Sequence, residues 1–377
     1  MSVTMEAPPL ASAPSAPPRR TAWATPIKRF IKTVGTGSRL AKNLSPGDAH
    51  EAMRLVLHGE VTRAQIGAFL IALRVKEETA EELVAFADAA RALASRLPSP
   101  SGPLLDVAEA YDGKERTMPV APTASFIVAG AGLPVLLHGS SDIPAKYGLT
   151  SGEVLAHLGV PTDGDCLDAA SRLSASGIAY LHAAQFCPAL ERLKPIRQEL
   201  GLRTVLNTVE KLLDPGRATC HVVGAFHGPA LERLPQVMRG LGHTRGAVVQ
   251  GTEASCDFSL SRTTRLIRFS AAGTEAVRLT PESLGIAPVP DVAVPEGGAA
   301  ACAAATLAVL TGEQHPLRAG ALLTAGAWLW LAGRADTPQA GLAMARESLD
   351  SGRAHARLLV SRRADPEVEA GTTGRVC

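Results

Sequence analysis

The stretch PVLLHGSSDIPAKYGLTSGEV, residues 134–154, joins an apolar strand to a polar loop, and the strand ends in His138-Gly139. A helix start follows at Thr150-Ser151. Loops placed this way hold phosphorylated ligands when cationic and amide side chains flank the glycine, because those groups donate to phosphate oxygens. Here Leu137 precedes His138, and Ser140 and Ser141 follow Gly139, so no cationic or amide side chain flanks the glycine. Upstream, Asp112-Gly113 closes DVAEAYDG (106–113); downstream, GTEASCDF (251–258) sets Glu253 four residues before Asp257. Carboxylate oxygens suit a hard divalent cation, whereas the thiol of Cys256 is a poor ligand for one. The six cysteines, Cys166, Cys187, Cys220, Cys256, Cys302 and Cys377, form no C-x-x-C pair. They read as reduced, mostly buried thiols of a cytoplasmic protein, with no zinc site.

A second group of residues is defined by charge. The chain has 377 residues and a formal charge of +2, too small for a globally basic nucleic-acid binder, so any basic surface must be local. Residues 1–47 concentrate Arg19, Arg20, Lys28, Arg29, Lys32, Arg39 and Lys42 against one acid, Glu6. Lys28 and Lys32 share a face if 27–34 is helical. Arg262, Arg265 and Arg268 recur every three residues, which suits neither face of a strand. Such a track would contact phosphates electrostatically; few aromatics interleave it, so base stacking is not expected.

The elements that must position these residues follow from composition and periodicity. Residues 1–26 are rich in Pro, Ala and Ser and read as a disordered arm. Residues 27–98 read as a helical domain: TRAQ (62–65) and TAEE (79–82) are capping boxes, each followed by an amphipathic run. SRLPSPSGP (95–103) is a linker. From 104 to 360, apolar runs at 104–108, 134–138, 177–181, 219–224 and 245–250 alternate with helical stretches, including one continuous helix at 188–201. That alternation predicts an α/β fold, a mainly parallel central sheet flanked by helices, beside the small helical domain. Helix 188–201 is expected to join the helical domain, and 361–377 is a tail. The apolar stretch 319–333 is too short to span a membrane and reads as a buried helix.

Taken together, residues 27 to about 360 resemble a known family. GEVTRAQIGAFLIALRVKEETAEELVAFADAAR (59–91) is similar to the helical domain shared by anthranilate phosphoribosyltransferase and the pyrimidine nucleoside phosphorylases. CPALERLKPIRQELGLRTVLN (187–207) and LTAGAWLWLAGRADTPQAGLAMARESLDSGRA (323–354) resemble segments of anthranilate phosphoribosyltransferase. The resemblance implies the glycosyltransferase family 3 (nucleoside phosphorylase class II) fold and a homodimer. It also implies a diphosphate loop of sequence Gly-Thr-Gly-Gly-Asp, of which Asp112 and Gly113 remain while Ala108, Glu109, Ala110 and Tyr111 replace the glycine-rich part. The family's Lys-His-Gly-Asn-Arg becomes Leu137 to Ser141, keeping His138 and Gly139, with Ser140 in place of the amide. Its magnesium-holding Asp-Glu pair becomes Cys256-Asp257, with Glu253 nearby. The arginine that faces the anthranilate carboxylate is kept as Arg197, whereas a Gly-Pro of that pocket becomes Glu210-Lys211 and a pocket histidine becomes Cys187.

These losses, with HGSSDIP (138–144), FCPALE (186–191), Lys211 and QGTE (250–253), resemble a divergent subgroup. Its members keep the fold and the dimer, lack the activity and bind nucleic acid. The resulting expectation is a degenerate phosphoribosyl diphosphate site and non-specific binding of single-stranded DNA or RNA by Lys28, Arg29, Lys32, Arg39, Lys42 and Lys211. The alternative is a phosphoribosyl- or glycosyltransferase with altered acceptor specificity. It would use Mg2+, with Asp112, Gly113, His138, Gly139, Ser140 and Arg197 lining its substrate site.

Overall fold

Helix signals in the sequence set the starts of the first elements: α1 (Ile27–Val34), α2 (Pro46–His58), α3 (Arg63–Lys76) and α4 (Ala80–Arg91). The Thr62 and Thr79 hydroxyls each accept from the backbone three residues on, and Gln65 and Glu82 close the reciprocal bonds. The computed structural model describes residues 26–37, 40–98 and 102–363, so the arm and tail lie almost wholly outside the described residues.

Beyond residue 102 strands and helices alternate. In order they are β1 (Leu105–Ala108), α5 (Ala121–Gly130), β2 (Val135–Gly139), α6 (Ser151–His157), α7 (Cys166–Ser176) and β3 (Ile178–His182). Short helices α8 (Ala183–Phe186), α9 (Pro188–Glu191), α10 (Lys194–Leu200) and α11 (Leu206–Val209) lead to β4 (Cys220–Gly224). Then come α12 (Gly228–Gly240), β5 (Gly246–Gln250), β6 (Thr264–Ser270) and β7 (Gly273–Leu279). Four helices end the chain: α13 (Gly298–Leu310), α14 (Leu317–Leu331), α15 (Pro338–Asp350) and α16 (Arg353–Arg363). The sheet order is β3-β2-β1-β4-β5-β6-β7, parallel through β5, with β6 and β7 antiparallel at one edge.

Two expectations need correction. The run 188–201 is not one helix but α9 and α10, because Pro195 lacks an N–H and can sit only near a helix start. The Arg262–Arg268 stretch is largely β6, where Arg268 pairs with Glu275 at 2.6 Å and lies 4.5 Å over the Trp330 ring. Arg262 and Arg265 of the same stretch are exposed.

One face of the sheet packs on α5, α13 and α14; α14 is buried along nearly its whole length. The other face meets α12, the short helices after β3 and, through them, the helical domain. The expectation that the helical domain needs outside partners is met largely within the chain, since α4 packs on α11 and α12, and α3 on α10. No helix among the described residues is long and apolar enough to cross a membrane.

Candidate functional site

The strand order changes direction between β1 and β4, and in open α/β sheets the crevice beyond the carboxyl ends of such strands is where ligands bind. A cleft of about 540 Å³ opens there. Tyr111 and Asp112 enter it from the loop after β1, Phe226 and His227 from the loop after β4, and Arg203, Glu210 and Lys211 from the segment around α11. Asp112 accepts from Arg203 Nε at 2.8 Å and Nη2 at 2.5 Å, and Lys146 lies 3.7 Å away. Lys211 does not reach out to solvent: its Nζ donates to Gly224 O and Ala254 O, and burial lowers its pKa. Gly113 adopts φ +70°, and a Cβ there would come 2.0 Å from Gly148 O, so only glycine lets these loops meet.

The loop between β1 and Asp112 differs from its sequence-based reading. Glu109 faces away from the cleft and accepts a bond from Ser151 Oγ at 3.0 Å. Burial, reinforced by Asp257, pushes its pKa up to about 8, so it is protonated at neutral pH. Glu109 therefore presents no negative charge to the cleft.

His138 and Ser140 are likewise not cleft residues. His138 is fully buried: its Nε2 donates to Asp106 Oδ1 at 3.0 Å and its Nδ1 faces Tyr111 Oη at 2.5 Å. Gly139 ends β2 against the Tyr180 hydroxyl, and Ser140 Oγ donates to Glu191. On the other side of Asp106, His221 Nδ1 lies 2.8 Å from the same Oδ1, while its Nε2 donates to Lys211 O. Asp106, His138 and His221 are the only described group whose ligand-type atoms cluster as a metal site would. The His138 contact is a hydrogen bond, whereas His221 Nδ1 lies close to Asp106 without hydrogen-bond geometry. Burial pulls the His221 imidazole down, but Asp106 more than reverses this and raises its pKa. The Asp106 carboxylate is lowered despite its burial, because His138 and His221 flank it.

Arg197 is buried in a bidentate pair with Glu210, at 2.5 and 3.1 Å. Burial raises the Glu210 pKa, and Arg197 opposes the shift. Asp257 is fully buried: its Oδ2 accepts from Lys114 Nζ at 2.6 Å and from the Val120 N–H at 3.0 Å. Glu253 accepts from the N–H groups of Glu115, Arg116 and Thr117 and from the Thr117 hydroxyl. Burial alone would raise its pKa; those donors bring it to about 2.

Residues 107–355 match the model described as "Glycosyl transferase family, a/b domain", and residues 28–94 its "helical bundle domain". An anthranilate phosphoribosyltransferase of Bradyrhizobium sp. is 35% identical over 332 residues, 88% of this chain and 96% of the relative. One from Exiguobacterium sibiricum is 33% identical, covering 87% and 96%. The solved anthranilate phosphoribosyltransferase of Thermus thermophilus has TM-score 0.78 at 31% identity, over 90% of this chain and 98% of that one. The chain belongs to this glycosyl transferase family. A Saccharomyces cerevisiae structure in complex with PRPP and Mg, at 20% identity and TM-score 0.78, supports the fold alone.

As a member of this family, the chain has a cleft at the switch point of its sheet. Of the substrate-site candidates only Asp112 lines the cleft; His138, Gly139, Ser140 and Arg197 are buried in contacts within the chain. A lysine ammonium, backbone N–H groups and the Thr117 hydroxyl hold three of the four carboxylate oxygens of Asp257 and Glu253, leaving Asp257 Oδ1 without a partner among the described residues. Lys32 and Lys42 are exposed, Arg29 pairs with Asp48 at 3.3 Å, and Arg39 lies outside the described residues. Sequence reasoning missed Lys114, Lys146 and Arg203. Their only linear signal was a cation beside a loop glycine or a conspicuous loop.

Proposed function

We propose that this family member transfers a pentosyl or phosphoribosyl group to an acceptor other than anthranilate. The observation that carries this reading is the buried Arg197–Glu210 pair. By the family resemblance Arg197 is the carboxylate-facing arginine, and here a carboxylate of the chain itself takes its Nη1 and Nη2 donors. An anionic acceptor would have to displace Glu210 and leave that buried carboxylate unpaired, which costs several kcal/mol. A neutral acceptor meets no such obstacle. Lys146 and Arg203 converge on Asp112 and supply positive charge toward a phosphate-bearing donor. In such a transfer the bond from the anomeric carbon to the leaving diphosphate breaks as the acceptor bond forms, and cations stabilise the departing charge.

A second reading is favoured by one observation: Ala108 to Tyr111 carry side chains where a backbone diphosphate cradle needs glycine, while Lys32 and Lys42 remain exposed. On that reading the donor site is degenerate and a homodimer binds single-stranded nucleic acid through its basic helices. Isothermal titration with phosphoribosyl diphosphate, and separately with a single-stranded oligonucleotide, tests both. Phosphoribosyl diphosphate binding below about 10 μM, unaffected by anthranilate, supports the transferase. Oligonucleotide binding at that strength, with no response to the phosphoribosyl donor, replaces it with the second reading.

A further inference from the structure

We infer that the Lys114 ammonium is the resident cation of the Asp257 carboxylate, so that this carboxylate takes no divalent metal ion. Lys114 and Asp257 are both almost wholly excluded from solvent, at 2% and 0% side-chain exposure. An ammonium has three N–H donors. Those of Lys114 find three acceptors: Asp257 Oδ2 at 2.6 Å, Thr252 Oγ1 at 2.8 Å and Met118 O at 3.2 Å. A buried ion pair holds together when geometry is good and the remaining protons are satisfied, and this one meets that condition. Removing either charge would strand the other.

The rest of the donor set leaves no room for a metal. A magnesium ion takes a near-ideal octahedron of oxygens and gives up its water reluctantly. Of the four carboxylate oxygens on Asp257 and Glu253, only Asp257 Oδ1 has no hydrogen-bond partner among the described residues. The intervening Cys256 turns its sulfur into the sheet, 3.4 Å from Ala108 O and 3.5 Å from Val222 O. Glu253 is fixed by the backbone of the Glu115–Thr117 turn, which begins one residue after Lys114. One short segment thus delivers both the replacement cation and the donors that occupy the second carboxylate.

The test measures metal occupancy, not turnover, so its outcome is independent of the proposed transfer reaction. The full-length chain is stripped with chelator and dialysed against Mn2+, and bound metal is counted by electron paramagnetic resonance. Wild type should retain no stoichiometric Mn2+. Lys114→Met, and Lys114→Gln as a variant that keeps two donors, should gain about one ion per chain, lost again on adding Asp257→Asn. Circular dichroism establishes which variants fold. Stoichiometric Mn2+ in wild type that Asp257→Asn abolishes would overturn the inference. So would a folded Lys114 variant that still excludes the metal.

Discussion

Two glutamates near the cleft differ because of what faces them. Glu210 meets the Arg197 guanidinium, whereas Glu109 hydrogen-bonds the Ser151 hydroxyl, and burial and Asp257 outweigh the fields of Lys114 and Lys211. Glu109 has a folded-state pKa of about 8 against an ordinary 4.5. Between those values the folded chain holds a proton that the unfolded chain releases, so stability falls as pH rises through that window. Glu109→Gln should flatten the loss between pH 5 and pH 8, and urea unfolding of variant and wild type at both values checks it. Glu210→Ala removes the partner of a buried guanidinium and should cost about 3–5 kcal/mol in wild-type buffer. Added anthranilate or benzoate should recover part of that loss in thermal unfolding, while leaving wild type unchanged. A variant equally stable with and without the acid would show that Arg197 is not accessible from the cleft.

At the scale of elements, register brings the polar core together. Asp106 on β1 pairs across to His221 on β4, and His138 on β2 lies two residue pairs further along the same face. Parallel strands put paired residues on one face, so three polar side chains spaced far apart in sequence meet beneath the cleft. Asp106→Asn leaves the charged His221 facing an amide, and destabilisation of about 3–5 kcal/mol is expected. The raised His221 pKa contributes stability below its ordinary value of 6.5 and loses it as pH climbs through the folded value. The deficit of Asp106→Asn should therefore be larger at pH 6 than at pH 9, and a pH-independent deficit would count against a charged His221.

At the scale of the whole molecule, the proposed homodimer through residues 27–98 rests on what the chain leaves uncovered. α11 and α12 cover much of α4, yet Leu40 and Val75 remain 68% and 65% exposed on the helical domain. Sedimentation at micromolar concentration should give a dimer, and Val75→Glu should weaken it without changing the monomer fold. A wild-type monomer would remove both the dimer and the doubled basic track that the nucleic-acid reading requires.

Local order was legible in the sequence because short-range physics sets it. Thr62 and Thr79 mark helix starts through their own turns, and five strands were placed to within a residue by apolar runs between glycine-rich breaks. The β6–β7 hairpin was missed, since its outer strand is mostly exposed and carries little apolar alternation. Family membership was also readable, as the matching segments run nearly the length of the chain. Charge state and partnership were not. Lys114 and Asp257 are 143 residues apart, Arg203 and Asp112 are 91 apart, and only packing decides which cation neutralises which acid. Burial then decides that Glu109 keeps its proton while Glu253 loses one, because desolvation and backbone donors act on a carboxyl through its surroundings.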